Sequence, residues 1–577
     1  MNILLIGINA KYIHSCLAVH LLAAYARQEY GICCETVEYT INQSEDLILG
    51  EICRKKPDLI GFSCYIWNYE LVQRLVRILR RVLPETRILL GGPEVGFDSS
   101  AVLVQTGADF VLSGEGEEPF AQLCRALLES RPLSEVPSLT YRQGEEIHQT
   151  SPAPPLDLAK LPFVYEDLSF YENRILYYEA QRGCPFNCQY CLSSAEKGVR
   201  FQPLDKVCRE LRFFLEHRVP QVKFVDRTFN ANPRFALAIW RFLQENDNGV
   251  TNFHFELAAD CITEEMLEFF SLVRPGLFQF EIGVQSTYEP TLQAIDRRTP
   301  FAEVCRTVRR IQQAGNIHLH LDLIAGLPYE GYTRFGQSFD EVYSLRPDQF
   351  QLGFLKLLKG SGLRRDQERF GIAARETAPY EVLFTDGLSF EELLQLKEIE
   401  DLTELYYNSG RFRQSLEYLN SRVESPFRFF EGFAWFRREQ GAHLQTPGKL
   451  EQYSLLYHYG CSLPGCNPLE LRWRMKFDLY SHEKARKLPE WLTEDETSAR
   501  RNQVFDFYQA ALSRGALLPE YAGLEYKQVA KMAHLEFFPF DPRKPEGSGR
   551  AVLLFNYRRP DLLGNAAVTD VTSWFRE

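Results

Sequence analysis

Between residues 1 and about 130, short apolar runs alternate with longer stretches in which apolar positions recur at helical spacing. The apolar runs at 3–8, 34–39, 59–63, 87–90 and 110–113 read as strands, and the stretches 17–29, 44–56, 68–83, 99–106 and 117–129 as helices. Five such βα units predict a doubly wound, Rossmann-like parallel sheet whose ligand sits at the carboxyl ends of the strands. Those ends carry Asn9 to His14, Ser63-Cys64-Tyr65, Gly91-Gly92-Pro93-Glu94 and Gly114-Glu115-Gly116-Glu117. Two of these loops are glycine-rich, which either turns the chain or lets a large flat or phosphate-bearing ligand approach the backbone. A dinucleotide is not expected, because the loop after the first strand reads Gly7-Ile-Asn-Ala-Lys-Tyr12 and lacks G-x-G-x-x-G.

From residue 138 to 168 the rhythm breaks. A hairpin is expected around Arg142-Gln-Gly-Glu145, followed by the stiff Ser151-Pro-Ala-Pro-Pro155. Strand-like runs then resume at 175–181, 222–225, 253–258, 278–283, 318–324 and 349–356, and six βα units predict a partial (β/α)6, TIM-like barrel. Beyond about 375 helical patterns dominate, and 533–538 with 551–557 read as a terminal hairpin. The expected domains are therefore 1–137, a linker 138–168, 169–370 and a mainly α-helical 371–577.

Composition changes this picture little. The 577 residues hold 45% hydrophobic and 25% charged side chains, ordinary for a globular chain, and the formal charge of −12 argues against coating nucleic acid with the whole surface. The N-terminal segment has no basic n-region, and no apolar run is long enough to span a bilayer, so a cytoplasmic protein with reduced cysteines is expected. Most of the fourteen cysteines are then core thiols.

Three cysteines stand apart. Arg182-Gly-Cys-Pro-Phe-Asn-Cys-Gln-Tyr-Cys191 places Cys184, Cys188 and Cys191 at C-x3-C-x2-C on one turn-rich loop, directly after the first strand of the second domain. Thiolates are the soft ligands that iron–sulfur clusters need, and three of them leave one iron open to another molecule. Three buried core thiols, or a zinc site completed from afar, are the alternatives.

The motif resembles that of the radical SAM superfamily, with Tyr190 at its aromatic position. The resemblance implies a [4Fe–4S] cluster held by Cys184, Cys188 and Cys191 and a partial (β/α)6 barrel. It also implies S-adenosylmethionine on the open iron, cleaved reductively to a 5′-deoxyadenosyl radical, with an electron donor such as flavodoxin or ferredoxin. It further suggests Asp226 for the methionyl amino group, Arg227 for its carboxylate, Glu281 and Gln285 near the ribose, and the segment from Asp322 to Pro328 against adenine. In the segment 224–230 the glycines of the family's Gly-Gly-Glu are replaced.

A five-unit α/β domain ahead of such a core resembles the cobalamin-binding branch of the superfamily. There the loops with Asn9, Ser63, Gly91, Gly92, Gly114, Glu115 and Gly116 would lie against the corrin. The D-x-H-x-x-G signature is absent around His14, so the resemblance implies cobalamin bound base-off with no histidine on cobalt. The activity implied is methyl transfer to an unactivated centre of a small-molecule or macromolecular substrate. Radical rearrangement, cyclisation or reduction without methyl transfer is an alternative, and so is a corrinoid or iron–sulfur binding or electron-transfer module. A tRNA methylthiotransferase-like activity is a further one, although Cys16, Cys33, Cys34, Cys53 and Cys64 lack the layout of its extra cluster domain.

Residues from about 375 onward resemble an uncharacterised helical extension of one branch of these proteins. Phe427-Arg-Phe-Phe430, Phe433-Ala-Trp-Phe436, Arg472-Trp-Arg-Met-Lys476 and Lys484-Ala-Arg-Lys487 could stack nucleobases, but ordinary amphipathic helices are the favoured reading. Cys461 and Cys466 are read as core thiols rather than auxiliary ligands.

Overall fold

The computed structural model describes every residue except 195–197, 486–487, 494–499, 515–517, 522, 545–548, 559–563 and 576–577. Arg486 and Lys487 of the basic stretch therefore lie outside the described residues. The chain divides into two compact units: Met1–Leu319, Gly326–Glu330 and Gly353–Ser389 form the first, and His320–Ala325, Gly331–Leu352 and Phe390–Glu577 the second.

The first unit opens with β1 (Ile3–Asn9), β2 (Glu35–Thr40), β3 (Leu59–Ser63), β4 (Arg87–Gly91) and β5 (Phe110–Leu112). The sheet order is 2-1-3-4-5, all parallel. β1 is buried along its whole length because alternate residues feed two cores: Ile3 and Leu5 face one layer of helices, Leu4, Ile6 and Ile8 the other. The helices are α1 (Leu17–Tyr30), α2 (Glu45–Lys55), α3 (Tyr69–Val82), α4 (Ser99–Thr106) and α5 (Glu117–Glu129). In α3 the buried Leu71, Val72, Leu75, Val76 and Leu79 recur at three and four residues, which is why this stretch packs as a helix. The hairpin around Gly144 is no free connector. Its strands β6 (Leu139–Gln143) and β7 (Glu146–Gln149) extend the sheet antiparallel, with Phe110 opposite Tyr141.

All six strands expected for the second domain are present. In the first unit β8 (Leu176–Tyr178), β11 (Gln221–Phe224), β12 (Asn252–Leu257) and β13 (Phe278–Gln285) run parallel in that order. An antiparallel ribbon that the sequence did not suggest, β9 (Gln181–Cys184) with β10 (Gly198–Phe201), intervenes after β8. The expected strand 175–181 is split because Gln181 already belongs to this ribbon. The remaining two strands are His318–Ala325 and Gln349–Phe354.

The faces of these strands divide sharply. Val222, Phe224, Phe253, Phe255, Phe278, Phe280 and Ile282 are fully buried with Trp240 and Phe270 from the covering helices. The opposite face carries Tyr177, Lys223, His254, Glu256 and Glu281. Period-two alternation sends every second residue inward, and here that inner set is polar.

The second unit is helical from Phe390–Leu402 through Pro468–His482, and closes with an antiparallel sheet of Ala533–Phe538, Ala551–Asn556 and Ala567–Asp570. The expected hairpin thus gains a third strand. Phe427, Phe429, Phe430 and Phe433 are core residues, as are Trp473, Arg474 and Lys476, and Lys476 Nζ sits 3.0 Å from the buried Glu536. Among the described residues no helix is long and apolar enough to cross a membrane.

Trp240 packs edge-on to Phe270 at 4.9 Å and lies 5.4 Å from Phe229 and 5.9 Å from Phe280. Trp240→Ala is expected to destabilise the first unit by about 3–5 kcal/mol, read as an earlier transition in urea unfolding followed by intrinsic fluorescence.

Candidate functional site

The three-cysteine loop hangs from the β9–β10 ribbon. Gly183 has φ +101°, and a Cβ there would collide with the Gly198 carbonyl, so the two strands can close only at glycine. Cys184 Sγ is 3.4 Å from Thr228 Oγ1, and the Cys191 N–H donates to the Cys188 carbonyl at 3.0 Å. Cys188 is buried, which pushes its thiol up, while the guanidinium of Arg297, 4.0 Å away, pulls in the opposite direction. Arg297 also donates to Tyr190 Oη at 3.3 Å and to the Gly283 carbonyl. Three thiols on one turn, with a half-buried cation beside them, suit an anionic iron–sulfur cluster, because the cation offsets the charge of the thiolates.

Around the loop, the carboxyl ends of β11 and β13 supply polar groups. Asp226 is buried; its Oδ2 accepts the Ala180 N–H at 3.1 Å and its Oδ1 has no partner. Burial pushes this carboxyl well up, opposed by the N–H of Ala180. An orphaned buried oxygen of this kind is open to a hydrogen-bond donor from water or a ligand. The Arg227 guanidinium is exposed and lies 4.0 Å from Glu256. Glu281 Oε2 takes both Lys223 Nζ and His254 Nε2 at 3.2 Å. Burial alone would raise the Glu281 carboxyl, but His254 and Lys223 outweigh it and hold the group at about 2. Gln285 adopts φ +71° at the end of β13, and Asp322 is a half-buried residue of the second unit.

The other site residues lie at the carboxyl ends of the first sheet. Asn9 Nδ2 donates to the His14 carbonyl at 3.0 Å and to Glu38 Oε2 at 2.6 Å, so Asn9 shapes its own loop. Glu38 also takes His20 Nε2 and Arg174 Nη1 at 2.7 Å and the Cys16 N–H at 3.1 Å. Ser63 Oγ accepts Cys16 Sγ at 3.5 Å. Gly91 follows within β4, and Gly92, at φ +108°, would put a Cβ 2.6 Å from the Cys64 carbonyl. Gly114 is left-handed, and a Cβ on Gly116 would press on Leu22 at 3.1 Å. Glu115 pairs with Arg200 and accepts the Leu156 N–H at 2.7 Å. Around these loops Tyr12, Ile13, Trp67 and Phe97 leave 64%, 45%, 44% and 46% of their surface exposed. Trp67 stacks on Tyr65 at 4.4 Å. His14 Nδ1 lies 2.7 Å from Tyr177 Oη. Beside Gly114, Gly183 and Gly198 a cavity of about 370 Å³ is floored by Arg182 and Arg200.

Four residues with structural command of the site had no sequence signal: Arg297, Thr228, Glu38 and Arg182. Each reaches a partner remote in the chain, and a single charged or hydroxyl residue, whether in a loop or on a short strand, carries no periodicity that names its partner. Cys461 and Cys466 are half-buried, and burial pushes both thiols up.

Comparisons with known proteins agree with this layout. Residues 3–124 match the B12 binding domain, 178–342 the Radical SAM superfamily, and 368–555 a protein of unknown function (DUF4080). The chain is 24% identical over 415 residues to the 2-(S-pantetheinyl)-carbapenam-3-carboxylate methyltransferase of Streptantibioticus cattleyicolor, covering 65% of this chain and 60% of that one. It is 25% identical over 359 residues to the cobalamin-dependent radical SAM methyltransferase TokK of Streptomyces tokunonensis, covering 57% and 51%. The chain thus spans little more than half the length of these relatives. In fold it is similar to the cobalamin-dependent S-adenosylmethionine radical enzyme OxsB with aqua-cobalamin bound. The TM-score is 0.58 at 14% identity, over 91% of this chain and 82% of that one. It is also similar to the radical S-adenosylmethionine methyltransferase TsrM of Kitasatospora setae, with TM-score 0.55 at 16% identity over 66% and 76%.

Burial favours a raised Glu38 carboxyl, but the hydrogen bonds from His20 and the Cys16 N–H, with the charges of His20 and Arg174, hold it below its ordinary value. Its stabilisation is present above the unfolded carboxylate range and is lost as pH falls through the lowered value. Glu38→Gln is therefore expected to melt at lower temperature than wild type at neutral pH, with the difference shrinking below about pH 4. Thermal melts across pH 3–7 check this.

Proposed function

We propose, for a chain that combines a B12-binding domain, a radical SAM domain and a DUF4080 domain, that it is a cobalamin-dependent radical SAM methyltransferase. The observation that carries the reading is the pairing, in one compact unit, of the three-thiol loop with a set of strand-end loops bordered by exposed apolar side chains. When bound, the cluster with S-adenosylmethionine supplies a 5′-deoxyadenosyl radical and the corrinoid supplies a methyl group.

Cys184, Cys188 and Cys191 would hold the cluster, with Arg297 offsetting its charge. Asp226 Oδ1 is the acceptor for a methionyl ammonium, and proton-bearing nitrogen there would relieve a buried carboxylate otherwise pushed up by burial. Arg297, beside Tyr190 and Cys188, and Arg227 are the cations within the same region for the methionyl carboxylate. Gln285 and Glu281 line the polar face of β13.

In the first domain, Gly114, with open space where a Cβ would stand, lets the backbone approach a large ring, and Tyr12, Ile13, Trp67 and Phe97 offer it apolar cover. The lack of a D-x-H-x-x-G signature around His14 supports corrinoid bound base-off without protein imidazole. A cytoplasmic setting and a flavodoxin- or ferredoxin-like electron donor complete the reading.

Anaerobic turnover with S-adenosylmethionine, reductant and cobalamin tests it. Methyl transfer predicts both S-adenosylhomocysteine and 5′-deoxyadenosine, and a radical reaction without methylation predicts 5′-deoxyadenosine alone. A binding module predicts neither. The triple variant Cys184→Ala, Cys188→Ala, Cys191→Ala is expected to lose iron, sulfide and the brown absorbance together, and a cluster that persists in it refutes the assignment. Asp226→Asn is expected to weaken S-adenosylmethionine binding by about 10- to 100-fold in anaerobic calorimetry, the range for a hydrogen bond to a charged group.

A further inference from the structure

The loop after β4 and the three-cysteine loop belong to different sheets, yet one short segment touches both. Residues 357–365 run between the strand Gln349–Phe354 and the short strand Val382–Phe384, and at their centre read Lys359-Gly-Ser-Gly-Leu363. At one end Lys359 Nζ lies 3.1 Å from Glu94 Oε1 and donates to the Glu94 carbonyl at 3.3 Å. Glu94 is 2% exposed, and its Oε1 also accepts the Tyr380 hydroxyl. At the other end the Leu363 N–H donates 2.8 Å to the carbonyl of Gln189, which sits between Cys188 and Tyr190, and Gln189 N–H in turn donates to Ile295 at 2.9 Å.

Gly360 is demanded by its backbone conformation, and Gly362 leaves room for the end of the Gln189 side chain. Gly360 has φ +85°, and a Cβ there would fall inside the ring of Phe97. A Cβ on Gly362 would fall on the side chain of Gln189. The segment is itself rigid: Ser361 caps the turn through Arg364 N–H at 3.3 Å, Leu357 N–H donates to Tyr380 at 3.0 Å, and the Arg364 guanidinium lies 4.8 Å over the Tyr380 ring. A half-buried ion pair at one end, a backbone hydrogen bond at the other and a capped turn stacked on Tyr380 between them is the construction of a spacer.

We propose that residues 357–365 are a positioning strap that sets the separation between the corrinoid-side loop 91–97 and the cluster-side loop 184–191. The strap rests on the corrinoid and cluster assignments above. Lys359, Gly360 and Gly362 are positioning residues that act on where the two groups stand.

The test uses full-length protein with cluster and cobalamin both loaded, reduced so that the cluster and cob(II)alamin each carry one unpaired electron. Pulsed dipolar electron paramagnetic resonance then reads their separation directly, since the coupling falls with the cube of distance. Gly360→Val and Gly362→Val are expected to shift and broaden the dipolar splitting while iron and cobalamin contents stay at wild-type values. Lys359→Met, which adds no bulk, is expected to broaden it, and it carries the test should a valine variant fail to fold. A splitting identical to wild type in these variants, with both cofactors present, overturns the strap and leaves the functional reading standing. Wild-type protein that takes up no cobalamin overturns both.

Discussion

The half-buried guanidinium of Arg182 is the interaction on which the site's geometry depends. It lies two residues before Cys184 and meets Glu117 at 2.8 Å, Glu179 at 2.7 Å and Glu115 at 3.5 Å. A charge so withdrawn from water costs several kcal/mol unless its partners are held in place, so the strand that carries Cys184 and the Gly114–Glu117 loop are stabilised only together. Glu115 extends the bond to Arg200 on the partner strand of the ribbon and to the Leu156 N–H in the connector. Two loops from separate sheets thereby share one electrostatic joint, and the acidic residues of Gly114-Glu-Gly-Glu117 serve that joint while Gly114 leaves the backbone open and Gly116 makes room for Leu22.

Beyond the joint, the strands from β8 to β13 separate two chemistries. The outer face is a stack of aromatic rings around Trp240, and the inner face carries Lys223, His254, Glu256 and Glu281 in adjoining rows. Lys223 pairs in register with His254, and Glu256 with Glu281. The usual interior of a closed barrel is filled by branched apolar side chains. Here the apolar mass lies outside, so the inside is left as a surface that bonds to polar groups. Its charges are largely balanced internally: Lys223 and His254 hold the Glu281 carboxyl low against burial, while burial and Lys223 lower His254 against the hydrogen bond to Glu281 and its charge.

Much of this was legible in the chain. Periodicity located all five strands and five helices of the first sheet and all six strands that follow, because burial on one or both faces is written residue by residue. C-x3-C-x2-C was equally plain, since thiols on one loop need only local spacing. The hairpin at Gly144 was seen but not its membership of the first sheet, and the ribbon Gln181–Cys184 with Gly198–Phe201 was missed. A short ribbon of polar and glycine residues has no apolar alternation to announce it.

The sequence by itself determined the classes of element, the three thiols and the glycines that open the strand ends, because each depends on residues near one another in the chain. The tertiary structure alone decided which charges command the site. Arg297 reaches Cys188 across 109 residues, Arg174 reaches Glu38 across 136, and Tyr380 reaches Glu94 across 286. Such pairs form only where folding removes them from water and brings their oppositely charged or hydrogen-bonding partners into range. Nothing in the local pattern of either residue records the other.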